Sequence, residues 1–412
     1  MRYRALLRAL ALGIPTVTLL LIYFAPYVAA FLYTVLAALA PLWLPVLLLV
    51  VLWPLWLRTV RSLYVSRIRY VTLELKPGAQ TPRSAHPMEL ILYSLYFRTD
   101  VSRASALWRG VVRVPWSFDV VATNGSVRFF VHVPEKHRPA VEGRIRAEYR
   151  DIDIDEVTDY AREIPFSPFE WRLVMREYAL EKSDAYPIRT YVADEHGKTR
   201  RDTFLELVEE LSGLGPEEHI WISYLIRPHQ RDWSPGFWGF LEVPRDTLHE
   251  DASRAIAAII GPSGDMRKLP HSQQELIERI EHALSKPSFD TGIRAMYIAR
   301  RNAFDDRRAS TLDTLFDTFD DPVLNGIAPY DPRERVPWPL SDVFRAVPIL
   351  DMEYFLSLYR RRAFFAPPYY GAPSIFNTEE LATLFHLPRA GKTSSLSRAG
   401  GSLLTPPDNL PL

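Results

Sequence analysis

The chain has 412 residues, 48% of them hydrophobic and 24% charged, which is the composition of a folded protein with room for two or three domains. A formal charge of zero hides a split: residues 1–69 hold seven arginines and no acid, leaving 42 basic against 49 acidic residues, or −7, for 70–412. So acidic a body is a poor non-specific nucleic-acid binder, because such binding displaces counterions with Lys and Arg. The absence of cysteine removes disulfide frameworks, thiolate zinc sites and cysteine nucleophiles, and suits a reducing compartment.

From Ala9 to Leu57 no residue is charged. About 20 residues cross a hydrocarbon layer of roughly 30 Å, so this run predicts two membrane spans, near 9–30 and 36–57, joined by a tight turn. It is far longer than the apolar core of a cleaved signal peptide, about 7–15 residues. Arg2, Arg4 and Arg8 precede the run and Arg58, Arg61 and Arg67 follow it. Short basic flanks stay on the cytoplasmic side, which predicts a hairpin (residues 1–69) with both ends in the cytoplasm of an inner-membrane protein.

Residues 70–163 read as one β-α-β-β-α-β unit, the ferredoxin-like arrangement. Tyr70 to Lys76 alternates as a half-buried strand does, and Met88, Ile91, Leu92 and Leu95 fall on one helical face. Trp116, Phe118 and Val120 lead to Asn124-Gly125, and Val127, Phe129, Val131 and Val133 lead away from it. Asn-Gly supplies the positive φ angles of a two-residue hairpin turn. Val141, Ile145 and Tyr149 then mark a helix, and Asp151 to Val157 a strand.

Residues 164–302 are expected to form a second, diverged unit of the same kind. Strands near 171–182 and 186–192 precede a helix with Phe204, Leu207, Val208 and Leu211 on its inner face. A strand at 219–227, an insertion with Trp233 and Trp238, a helix with Ile277 and Ile280, and a strand from Phe289 to Arg300 complete it. Residues 303–388 read as irregular and helical, with a capping box at Asn377 and Glu380, and 389–412 as a Ser/Gly/Pro tail. The fold class expected is therefore α+β: a membrane hairpin followed by tandem ferredoxin-like modules.

No residue receives a catalytic, cofactor-binding or metal-binding role. Gly391-Lys392-Thr393 ends like a phosphate-binding loop, but His386 stands where the loop needs its first glycine. Asp151, Asp153 and Asp155 begin like a calcium loop, yet Glu156 occupies the sixth position, where glycine makes the turn, so they read as the solvent face of a strand. His132 and His137 read as surface histidines, and no His-Glu-x-x-His or Gly-x-Ser-x-Gly occurs. Arg360-Arg361-Arg362 reads as a solvated helix end complementing the helix dipole.

Several stretches resemble a bacterial membrane-protein family of unknown function: Val131-His132-Val133-Pro134, Asp184 to Tyr191, Ile220-Trp221-Ile222 and, most specifically, Asn377 to Leu384 followed by His386-Leu387-Pro388. That family is encoded beside, or fused to, conjugative-transfer ATPases of type IV secretion. The resemblance implies the membrane and assembly half of such a machine, with membrane lipid and a separate hexameric ATPase as partners. It leaves self-assembly open and makes direct nucleic-acid binding and enzyme activity the weaker alternatives. It also implies that residues 376–412 are the joint on which the ATPase docks.

Overall fold

A computed structural model of the chain describes Tyr23 and residues 26–82, 84–96, 102–192, 202–230, 232–235, 242–245, 247–261, 269–335, 348–366 and 368–389. Helix α1, Pro26–Ser66, is long and apolar enough to cross a membrane, and nearly every described side chain up to Leu57 is exposed. It runs without a break through residues 31–35, where the sequence reading placed the turn of a hairpin. Phe31 to Val35 contain no glycine or proline, and Thr34 Oγ1 donates to the Ala30 carbonyl at 2.8 Å, so nothing local stops the helix. Most of the first expected span lies outside the described residues. Pro41, Pro45 and Pro54 sit inside the helix, and the Trp43 indole nitrogen donates to the Leu36 carbonyl at 2.9 Å, which satisfies a polar group on an otherwise apolar surface.

Three residues after α1 the chain enters a nine-stranded antiparallel sheet. The first half contains β1 (Tyr70–Pro77), α2 (His86–Ser94), α3 (Arg103–Trp108), β2 (Trp116–Thr123), β3 (Ser126–Pro134), α4 (Arg138–Glu148) and β4 (Ile152–Val157). The second contains β5 (Trp171–Leu180), α5 (Thr203–Leu211), β6 (Glu218–Pro228), a small hairpin β7–β8 (Asp232–Pro235, Glu242–Arg245), α6 (Thr247–Ile260), α7 (His271–Ser285), β9 (Ser288–Arg300), α8 (Asp306–Thr311) and β10 (Ile327–Tyr330). Across the sheet the order is β10-β5-β9-β6-β2-β3-β1-β4. Each half thus places its fourth strand beside its first, its first beside its third, and its third beside its second. The two second strands, β2 and β6, pair from Trp116–Ile226 to Thr123–His219 and fuse the halves into one sheet.

Two features of the second half differ from expectation. Its fourth strand, β10, lies at 327–330, past the 164–302 segment, and pairs with β5. Residues 186–192 are not a strand, because their amides are taken by side chains: Ile188 N–H donates to Glu380 Oε1 at 2.8 Å and Tyr191 N–H to Thr383 Oγ1 at 3.1 Å.

The C-terminal segment, read as irregular and helical, closes the core on both faces of the sheet. Helix α9 (Pro348–Arg360) and the short strands β11 (Phe365–Ala366) and β12 (Tyr369–Tyr370) belong to the apolar cluster of Val121, Phe130, Trp221, Leu225, Met296 and Ile298. On the opposite face, with α2, α4 and α5, lie β13 (Ser374–Asn377) and α10 (Thr378–Leu384). β13 pairs with the end of β9, and every residue of α10 is buried. Phe385 stacks on Phe118 at 4.8 Å and meets Phe129, Phe204 and Tyr224. The best-matching stretch of the resemblance is therefore a core plug. Because both faces are covered, β2, β6 and β9 are buried almost throughout.

The Asn124-Gly125 turn has φ +51° and +79°, as expected of it. It is also clamped to the second half, since Asn124 N–H donates to the Glu218 carbonyl and Glu217 N–H to Asn124 Oδ1 at 2.8 Å. A Cβ on Gly125 would come 3.0 Å from the Ser212 carbonyl oxygen. Gly125→Val should lower the unfolding free energy by about 1–3 kcal/mol in denaturant titration, because a β-branched residue resists positive φ. A variant as stable as the parent would refute this account of the turn.

Candidate functional site

Helix α9 ends by a local rule. Ala363 N–H donates to the Leu358 carbonyl and Arg362 N–H to that of Tyr359, the paired bonds of a Schellman motif. The residue that closes this motif adopts the left-handed backbone and is most often glycine. Here it is Arg362, with φ +49°. The turn drives its side chain, 5% exposed, onto the sheet.

There the guanidinium meets two carboxylates. Arg362 Nη2 donates to Asp119 Oδ2 at 3.1 Å and to Asp159 Oδ1 at 3.0 Å, and Nη1 donates to Asp159 Oδ2 at 2.7 Å. Asp119, fully buried on β2, also accepts from the Ser223 hydroxyl of β6 at 2.6 Å. The Tyr160 and Tyr359 rings flank the guanidinium, and their hydroxyls lie 3.0 Å apart. Burial alone would raise the Asp159 pKa, but Arg362 overrides it and holds the carboxyl below its usual range. Burial would likewise discharge Arg362, but Tyr160, Asp119 and Asp159 hold its pKa above normal. Its Nε has no hydrogen-bond partner.

A second buried pair lies on the same face. Arg294 of β9 donates from Nη2 to Glu177 Oε1 at 2.9 Å and to the Ala363 carbonyl at 2.8 Å. The hydroxyls of Tyr330 and Tyr369 donate to Glu177 Oε2, each at 2.7 Å. Gly292 and Gly371 grip the Phe364 ring between them, for a Cβ on either would lie within 2.4 Å of it. Together these contacts fix residues 358–371 against the sheet.

Beside Arg362 a cavity of about 570 Å³ opens between the last turns of α1, the start of β1, the end of β4 and residues 360–368. Its wall includes His132, whose Nδ1 lies 2.9 Å from Thr72 Oγ1 and whose ring stacks on Tyr70 at 4.8 Å. This is no surface histidine: burial first, and Arg362 second, push its pKa down to about 3, so it is neutral at pH 7. Arg360 points the other way, donating to the carbonyls of Ala161 at 2.8 Å and Ile164 at 3.0 Å. Of the three arginines read as a solvated helix end, only Arg361 is exposed.

The other weighed residues stay apart from this site. Asp153 and Asp155 line the outer face of edge strand β4, where Lys76 pairs with Asp155 at 2.8 Å. His137 begins α4, and Gly391-Lys392-Thr393 lies outside the described residues. The capping box is present, and Glu379 pairs with Lys286 while Glu380 accepts from Asn377 N–H. Among the described residues no group of three or more His, Asp or Glu could hold a metal ion. Asp119, Asp159, Glu177 and Arg294 escaped the sequence reading. A charged residue inside an apolar strand, such as Asp119 in Phe118-Asp119-Val120-Val121, was the available signal.

These features define a class: an α+β protein built on a large antiparallel sheet, with one apolar helix near its N-terminus and charged groups locked into its core. Residues 111–393 match the family described as Domain of unknown function (DUF8128), and the chain belongs to that family. No curated protein matches it.

Arg362→Ala should cost about 3–5 kcal/mol in chemical denaturation, because it strands two buried carboxylates. Arg361→Ala, one residue away, should stay within about 0.5 kcal/mol. Equal effects would mean that the ion pairs carry no weight. The histidine gives a pH test. An unfolded His takes up a proton near pH 6.5, whereas the folded chain holds His132 neutral down to about 3. Folding is therefore penalised progressively as pH drops below 6.5, by about 1.4 kcal/mol per unit. Between about pH 6.5 and 4.5, His132→Asn should lose roughly 2–3 kcal/mol less stability than the parent. Parallel pH profiles would show that the ring is protonated in place.

Proposed function

We propose that the chain is a non-catalytic, membrane-anchored component of a machine of the type IV secretion or conjugative-transfer kind. In this reading its sheet domain lies on the cytoplasmic side and docks a separate hexameric ATPase. The observation that carries the reading is the junction of α1 with the domain. An exposed apolar helix ends in Arg58, Arg61 and Arg67, and enters the sheet almost at once. Basic residues on that side of an apolar helix favour a cytoplasmic domain.

The helix is braced against the domain. Trp53 and Trp108 meet edge to face at 6.4 Å, Trp56 Nε1 donates to the Leu107 carbonyl at 3.3 Å, and Gly110 lies against the backbone of Val60. A tether that is also a strut suits a part that holds a motor in register with a membrane. We read the strand order within each half as ferredoxin-like, two such units being joined edge to edge. The buried charges support a scaffold, since each described pair ties one segment of the domain to another. With β13 and α10 in the core, the docking surface falls on the outside of the domain or on residues 390–412.

Three measurements test this. The purified full-length chain should show no ATP turnover, and it should capture a co-encoded ATPase in a pull-down. A reporter fused at Leu412 should be active in the cytoplasm. Turnover that disappears in Lys392→Ala, or a reporter active on the far side, would overturn the proposal.

A further inference from the structure

Four arginines line the cavity beside α1: Arg162, Arg360, Arg361 and Arg362. Their charge is only partly answered. Asp159 is consumed by Arg362, and Glu156, the other carboxylate on the wall, is paired with Arg138. Arg360 is held by backbone carbonyls alone, and Arg162 is near enough to add to the effect of burial in lowering its pKa. Arg162 and Arg361 are exposed and have no acidic partner among the described residues. Two positive charges, those of Arg162 and Arg361, therefore stand unpaired at the wall, and the buried Nε of Arg362 has no acceptor among the described residues.

The rest of the wall is not that of a bare-ion site. Ile68, Val112, Phe364, Phe365 and Pro368 give it an apolar side, and its 570 Å³ lies within the range of organic-ligand cavities, about 300–1,000 Å³. Its position narrows the choice. Ser62, Val65 and Ser66 of α1 line it, five to nine residues past Leu57, the last residue of the uncharged run. At about 1.5 Å per residue that is roughly 8–14 Å along the helix, and the headgroup layer of a bilayer is roughly 5–7 Å deep on each side. The near lip of the mouth, at Ser62, thus sits at the outer edge of the headgroups, and Val65 and Ser66 lie past it.

We propose that this cavity binds the phosphate-bearing headgroup of an anionic phospholipid, with Arg162 and Arg361 gripping the phosphate. The proposal rests on reading α1 as a membrane span. It makes the domain a reader of the lipid at its own anchor, so that anionic lipid would lock the angle between helix and sheet.

The test uses the full-length chain in detergent micelles, with labelled phosphatidylglycerol and phosphatidylcholine as probes. Phosphatidylglycerol should be retained preferentially. Removing two arginines, each contributing roughly fivefold near a membrane surface, should weaken that retention ten- to thirtyfold in the Arg162→Ala/Arg361→Ala double variant. The control Arg254→Ala/Arg279→Ala, on α6 and α7, should bind as the parent does. Equal retention of both lipids, or a control as weak as the double variant, would overturn the site. Displacement by millimolar inorganic phosphate would make it a free-phosphate site, and displacement by a single-stranded oligonucleotide a nucleic-acid site. Either result would refute the lipid assignment. Alkaline extraction separates this from the parent reading: release of the chain from membranes defeats the anchor, whereas firm anchoring without lipid preference defeats only the site.

Discussion

A guanidinium can be buried only where its charge is met and its donors are placed, and Arg362 satisfies that demand with carboxylates from two other parts of the chain. Asp119 comes from the central strand of the first half and Asp159 from the connection that leaves it. The residue itself closes helix α9, more than two hundred positions further on. Removing Arg362 would leave both carboxylates without a counter-charge, which costs several kcal/mol even when the intact pairs contribute little. The three segments are thus obliged to fold together. The left-handed backbone at Arg362, a strain of about 1–3 kcal/mol for a non-glycine residue, is tolerated because it alone aims the side chain at both carboxylates.

The same logic recurs across the sheet. Glu177 and Arg294 join β5 to β9, while Tyr330 and Tyr369 bring in β10 and β12 through the second carboxylate oxygen. Asp290 gathers Arg113, Arg227 and His229, so that the end of β9 holds the strand that precedes the small hairpin and the segment before β2. Apolar packing gives such a sheet most of its stability but little direction. Buried charge pairs fix which segment lies where. The C-terminal segment from Pro348 onward is placed by them on one face of the sheet and by the capped helix α10 on the other.

This construction bears on how the domain would work beside a membrane. A sheet joined through β2 and β6, with its C-terminal segment wrapped over both faces, is one body to which an apolar helix is firmly attached. Force or orientation imposed at the helix would pass to the sheet through Trp53, Trp56 and the backbone near Val60 rather than be lost in a linker. The buried charges are spent on structure.

The sequence by itself determined the local pieces. Alternation and helical spacing marked β1 to β4 with their helices, because period is a property of neighbouring residues. Asn124-Gly125 fixed the tightest turn, and Asn377 with Glu380 fixed a helix start, for the same reason. The uncharged run from Ala9 to Leu57 announced an apolar helix by length alone. What only the tertiary structure decided were the relations between distant residues. The fusion of β2 with β6, the fourth strand at 327–330 and the course of 186–192 along α10 all depend on partners that no local pattern names. Arg360, Arg361 and Arg362 look alike in sequence. One is buried between aspartates, one is bound to carbonyls and one faces the solvent, because a helix-ending turn sends consecutive side chains in different directions, and only the packed chain settles what each of them meets.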